Sequence, residues 1–226
     1  MVQTFSLSGT VNNLAIKNYY SEKAAPKGSF MWTVSKTPNP SIHSITVFAK
    51  ECPMVFPKVA GVLSLNYFDI VDVRNYRQNK NSLGTFKVQA LKGNILKEED
   101  FKRAEQCLKA VLSGRLNLEQ AFRQKMSDLD RTKLRNSASD NISVEVNNDN
   151  SFLFSLIEVS ADDFPGILYK ISDAVMKSGL DIWNAHIETN NKKIQDVFYV
   201  KDLKGRKLEQ EQIITVVSRV KKALSD

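Results

Sequence analysis

The chain has 226 residues, 42% of them hydrophobic and 25% charged, a globular composition long enough for one large or two small domains. Nowhere does it hold the run of about 20 apolar residues that a membrane span needs, and its opening MVQTFSLSGTVNNL lacks the basic-then-apolar order of a secretion signal. The net charge of +7 favours anionic partners, but Lys and Arg are scattered among 25 acids. A cytoplasmic protein without a membrane partner is expected, with a solvated surface in place of a nucleic-acid groove.

Residues 1–30 read as an N-terminal extension. From there the chain repeats itself, and a repeat decides a fold. At a constant offset of 112 residues, Pro53 falls on Pro165, Asp69-Ile70 on Asp181-Ile182, Phe86 and Val88 on Phe198 and Val200, and Leu91-Lys92-Gly93 on Leu203-Lys204-Gly205. No gap is needed. The copies are expected over 31–114 and 143–226.

In the first copy SITVFAK and GTFKVQA read as strands. Val55, Phe56, Val59, Val62 and Leu63 mark one face of a helix, and Phe101, Leu108 and Leu112 mark a second. The stretch 115–142 is polar and reads as a partly helical linker ending in an Asn/Ser/Asp cluster.

The second copy opens with ISVEVN, turns at NDNS and continues as the strand FLFSLIEVSA. Ile167, Leu168, Ile171, Ala174 and Val175 then recur at helical spacing up to a stop at Ser178-Gly179. DIWNAHIET and QDVFYVKDL alternate around NNKK as a hairpin. A last helix carries Ile213, Val217, Val220 and Leu224 on one face. The order strand, strand, helix, strand, strand, helix is the ferredoxin-like unit with its final strand missing and a leading strand able to take that edge. An α+β fold of two tandem ferredoxin-like units follows, each a four-stranded antiparallel sheet with two helices on one face. A single unit leaves an edge or face uncovered, so the two are expected to join or stack.

Two histidines, His43 and His186, fall in strands without a partner that would activate them. Cys52 and Cys107 show neither CxxC nor histidine spacing, so disulfide, metal and cofactor are all unexpected. Trp32 and Trp183 read as packing against the other copy more readily than as ligand-stacking rings.

The informative stretch is ADDFPGILYK. Asp162 and Asp163 stand before a helix, where an acid caps free N–H groups and Pro suits the first turn. A functional reading competes with capping: Gly166 admits a ligand to the backbone, the helix amides take a carboxylate and an acid takes an ammonium. Asp181, opening the next strand, is expected near the same end of the sheet.

These residues resemble the Asp-Arg-Pro-Gly-Leu-Leu segment of ACT domains. Together with DNSFLFSLIEVS and QDVFYVKDLKGRKL they are similar to the C-terminal ACT pair of the bacterial PII uridylyltransferase/uridylyl-removing enzyme. That resemblance implies a regulatory module without a catalytic centre that binds an amino acid effector, glutamine in that enzyme, at interfaces between units. It places the effector loop at Asp162, Asp163, Phe164, Pro165, Gly166 and Ile167 with Asp181, and in the first copy at Glu51, Cys52, Pro53, Met54 and Val55 with Asp69. Phe164 and Cys52 stand where the family usually has Arg, and Met54 where it has Gly, so the second copy is expected to be the better site, or the first to be purely structural. A PII-type regulator, an attached catalytic domain and a homodimer are the partners to weigh. The alternatives are an interaction module with degenerate sites and, further off, a nucleic-acid platform, whose RNA-binding signature is missing. No Gly-Ser-rich turn with a paired Asp-x-Asp marks a nucleotidyltransferase and no His-Asp pair marks a metal phosphohydrolase, so no activity is expected.

Overall fold

The computed structural model describes residues 29–52, 54–78, 81–91, 95–129, 141–187, 189–190 and 193–225. The leader expected over 1–30 lies almost wholly outside them, as do Pro53 and most of the Asn/Ser/Asp cluster of the linker.

Strands β1 (Phe30–Lys36) and β2 (His43–Ala49) lead into helix α1 (Val55–Leu65), strands β3 (Phe68–Gln78) and β4 (Asn81–Ala90), and helix α2 (Glu98–Leu112). After α3 (Leu118–Leu129) the plan repeats: β5 (Ser143–Asn147), β6 (Ser155–Asp162), α4 (Ile167–Lys177), β7 (Leu180–His186), the two-residue β8 (Thr189–Asn190), β9 (Lys193–Asp202) and α5 (Gln210–Ser225). All strands join one sheet in the order β1-β2-β4-β3-β7-β9-β6-β5, with β8 beside β9. Each leading strand forms an antiparallel hairpin with the next and takes the outer edge, as the repeat predicts.

The halves meet where β3 runs antiparallel to β7, with Arg74↔His186 as the ladder pair among the described residues. Behind that seam α1 packs on α4. On every strand the alternate residues that face the helices form the core, with Ile45, Val47, Phe86 and Val88 in one half and Ile157, Val159, Phe198 and Val200 in the other, each no more than 2% exposed. Burying such side chains is worth roughly 1.5–3 kcal/mol each, which is what closes the helix layer onto the sheet.

Local chemistry departs from the sequence reading in three places. The strand expected from Phe152 starts at Ser155, because Phe152 is 94% exposed in a bend outside the sheet. The inner face of α5 turns on Val216, Val220 and Leu224, with Ile213 and Val217 only partly buried. Trp32 does not meet the other copy. Opposite Val47 on the outermost strand, it is buried in the core of its own half, three strands from the seam.

Candidate functional site: two crossed strand-to-helix loops

The acids of ADDFPG do not cap the helix. Asp162 is the last residue of β6, and the N-cap of α4 is Gly166, in the left-handed region at φ 89° and with no side-chain cap. The Ile167 N–H donates to the Phe164 carbonyl at 3.1 Å and the Lys170 N–H to the Gly166 carbonyl at 3.1 Å, closing the turn with backbone alone. In the first copy Met54 occupies the same N-cap at φ 59°, a conformation that a residue with a Cβ adopts at a cost of about 1 kcal/mol. Glu51, at φ 47°, adds a second left-handed residue to that loop.

Asp163 and Asp181 do not converge. Strands β6 and β7 both run antiparallel to β9 and therefore parallel to each other, so the end of β6 and the start of β7 lie at opposite ends of the sheet. Asp162 sits opposite Lys193 at the start of β9, whereas Asp181 sits opposite Lys201 near its end, a separation of roughly 25 Å at strand rise. The antiparallel seam crosses the halves over. Asp69, at the start of β3, comes to Asp163, while Asp181 joins Cys52, Met54, Val55 and Phe56 of the first loop. Each loop thus faces the opening acid of the other copy's strand.

At the second loop, the Asp163 carboxyl is pushed above the usual range, first by its protein surroundings and then by the Asp69 charge, against a backbone hydrogen bond from Phe164. Asp69 accepts a 2.8 Å hydrogen bond from Gln89 Nε2. Phe164 lies partly buried against the core, with the Lys170 ammonium 5.3 Å from its ring centre, while Pro165 is exposed. The space that a glycine leaves is filled from the linker: a Cβ on Gly166 would stand 2.2 Å from Phe122 Cζ. Phe122 is 4% exposed and packs on Tyr169 at 4.6 Å between ring centres.

At the first loop the crossed residues enclose a cavity of about 20 Å³, lined among others by Cys52, Met54, Asn75, Ser82, Met176 and Asp181. That volume suits one water molecule. Asn75 spans the seam, its Nδ2 lying 3.5 Å from the Ile182 carbonyl, while its Oδ1 accepts from Ser82 Oγ at 3.3 Å. Burial pushes the Cys52 thiol up, against the charge of Lys58. The Glu51 N–H donates to Asn81 Oδ1 at 3.2 Å.

Sequence reasoning did not single out Asn75, Ser82, Gln89 or Phe122. Asn75 carried a faint signal, an amide within an otherwise alternating strand, and Phe122 another, an aromatic residue in a polar linker. Elsewhere, His43 packs its ring on Phe101 at 5.1 Å, and burial followed by the Lys36 charge lowers its pKa. No group of three or more His, Cys, Asp or Glu among the described residues is placed to hold a metal. None of the described helices is long and apolar enough to cross a membrane.

The architecture is that of two tandem ferredoxin-like units, joined edge to edge. In sequence the chain is similar to part of the bifunctional uridylyltransferase/uridylyl-removing enzyme. It is 31% identical to that of Rhodopseudomonas palustris over 172 residues, covering 74% of this chain and 18% of the relative. The enzyme of Azospirillum brasilense is 33% identical over 191 residues, 82% of this chain and 20% of the relative. The chain therefore spans about a fifth of the length of these curated relatives. No protein-family profile matches it. A crystal structure of aspartate kinase from Synechocystis overlaps 82% of this chain and 40% of its own at 12% identity, with a TM-score of 0.22 that is too low to carry an argument.

Proposed function

We propose that the chain is a regulatory module that senses a free amino acid at the crossed loops and has no catalytic centre of its own. The observation that carries this is the pair Asp69 and Asp163, two carboxylates from different copies close enough for one to raise the pKa of the other. Like charges this close favour the arrival of an ammonium group. The first-turn N–H groups of α4, which no side chain caps, supply the complementary demand for a carboxylate. An amino acid carries both charges, and glutamine, implied by the family resemblance, is the first to try. In this reading copies 31–114 and 143–226 are the two sensing units and 115–142 is the connector. A catalytic domain in the same polypeptide or a PII-type protein receives the signal.

Entry requires movement. Phe122 must leave Gly166 at the second loop, or Met54 must swing away from the water-sized cavity at the first. The decisive experiment is calorimetric titration with the twenty amino acids. A saturable heat for one of them, lost in Asp163→Ala, is expected; no heat for any, with that variant indistinguishable from the parent, refutes the sensor.

The same closed geometry favours a second reading, an interaction module whose pockets have filled with its own side chains. Under it no amino acid binds, and a pull-down retains a catalytic or PII-type partner equally with and without effector.

A further inference from the structure

The helix-free face of the sheet carries a second site, in which the crossed loops take no part. A groove of about 510 Å³ runs along the seam, lined by Arg74, Leu83 and Thr85 from the first copy and by Phe154, Trp183 and His186 from the second. Neither half alone encloses it. Its volume falls within the range of small-ligand sites.

The aromatic wall is built by a β-bulge. The register of β7 on β9 shifts between Ile182 and Asn184, leaving Trp183 as the extra residue. A bulge of this kind re-aims a side chain. The first copy has the same bulge between Ile70 and Asp72, with Val71 in that place, so the backbone device is shared and the indole belongs to one copy. Trp183 is half-buried, 5.9 Å from Phe154 between ring centres, and Tyr199 meets Phe154 edge-on at 6.1 Å. Tyr199 lies between the core residues Phe198 and Val200 and so faces away from the helices.

Two cations flank this wall. The Lys201 ammonium lies 4.8 Å from the Phe154 ring centre and 5.1 Å from that of Trp183. The Arg74 side chain, exposed on the opposite wall, makes no hydrogen bond or ion pair among the described residues. Glu145 and Glu158 face each other on β5 and β6, the two strands farthest from the seam in this half. Neither is among the residues that line the groove, which include Arg74.

We infer that this composite groove binds a nucleotide, the base stacking on Trp183 and Phe154 and the phosphate meeting Arg74 or Lys201. Aromatic rings on central strands with flanking cations are what base recognition on a sheet requires, because every base has a π-face and every phosphate a charge. Free nucleotides and nucleotides of a single strand share this chemistry.

Tryptophan fluorescence of the full chain reports on the site, since Trp32 is 4% exposed in the core. UMP and AMP at millimolar concentrations are expected to quench Trp183 saturably. Arg74→Ala should weaken both by about tenfold while leaving uridine unchanged. Trp183→Val, which installs the first copy's residue, should abolish ligand-observed saturation transfer from either nucleotide. If octauridylate binds more tightly than UMP, with an affinity that falls steeply in salt, the source is a single strand; equal affinity for the two assigns the free nucleotide. Absence of quenching by every ligand overturns the inference, as does binding that survives both substitutions. Amino-acid calorimetry is independent of each of these outcomes.

Discussion

Helices α1 and α4 occupy equivalent places in the two halves and live in different surroundings. All of α1 is buried except Lys58, whereas α4 turns Lys170, Asp173 and Lys177 outward. The cause is α3. Leu118 lies over α1 so closely that a Cβ on Gly61 would stand 2.9 Å from its Cδ2, and the Lys125 ammonium is bonded to the Leu65 carbonyl and sits 3.5 Å from the Tyr67 ring centre. The residue of α4 equivalent to Gly61 is Asp173, ion-paired with Lys177 at 2.8 Å. The sheet keeps the duplication because backbone ladders and alternation tolerate many side chains. The helix layer loses it because a single connector can lie across the seam only one way. Duplication here preserves the frame and leaves the contents of each loop free to diverge.

The largest test of this asymmetry is Phe122→Ala, which empties the contact with Gly166 and Tyr169. A loss of about 3 kcal/mol is expected, read from the midpoint of urea unfolding. Gly166→Ala should lose roughly 2 kcal/mol in the same assay, because the left-handed backbone and the ring both oppose the new methyl. If both variants match the parent, α3 does not seat on the second copy.

Met54→Gly should act in the opposite direction. It relieves the left-handed strain and is expected to stabilise by about 0.5 kcal/mol, the remainder being offset by lost contact and a freer unfolded chain. A clear loss of stability would show that Met54 is a structural plug.

The smallest effect is electrostatic. A carboxyl whose pKa is raised in the folded state contributes stability that is fully present below its unfolded value, near 3.8, and that fades as pH rises through the folded value. Asp163→Asn should therefore raise the melting temperature slightly at pH 7 and not at pH 3. The gain stays below about 1 kcal/mol, since the side chain remains exposed and water screens the repulsion. Equal melting curves at both pH values would separate Asp163 from Asp69.

The fold class could be read from the sequence because its signals are periodic: the 112-residue offset, the alternation of DIWNAHIET, and the helical spacing of Val55, Phe56, Val59, Val62 and Leu63. Periodicity tells which face of an element is buried and is silent about its neighbour. Asp163 and Asp181 were therefore expected together, when the parallel run of β6 and β7 sends them to opposite ends and the seam gives each a partner from the other copy. Trp32 and Trp183 read alike as strand aromatics, and only sheet order separates an outermost strand from a central one. Phe122 lay hidden in a stretch with no repeat to compare it with.

The seam itself has a mechanical consequence. Among the described residues one ladder pair joins β3 to β7, and the contact of α1 with α4 and the approach of Asn75 to the Ile182 carbonyl also tie the halves. Because α3 is fastened to one half by Leu118 on Gly61 and to the other by Phe122 on Gly166 and a 2.9 Å ion pair from Glu119 to Lys177, detaching that one helix would remove all three ties at once.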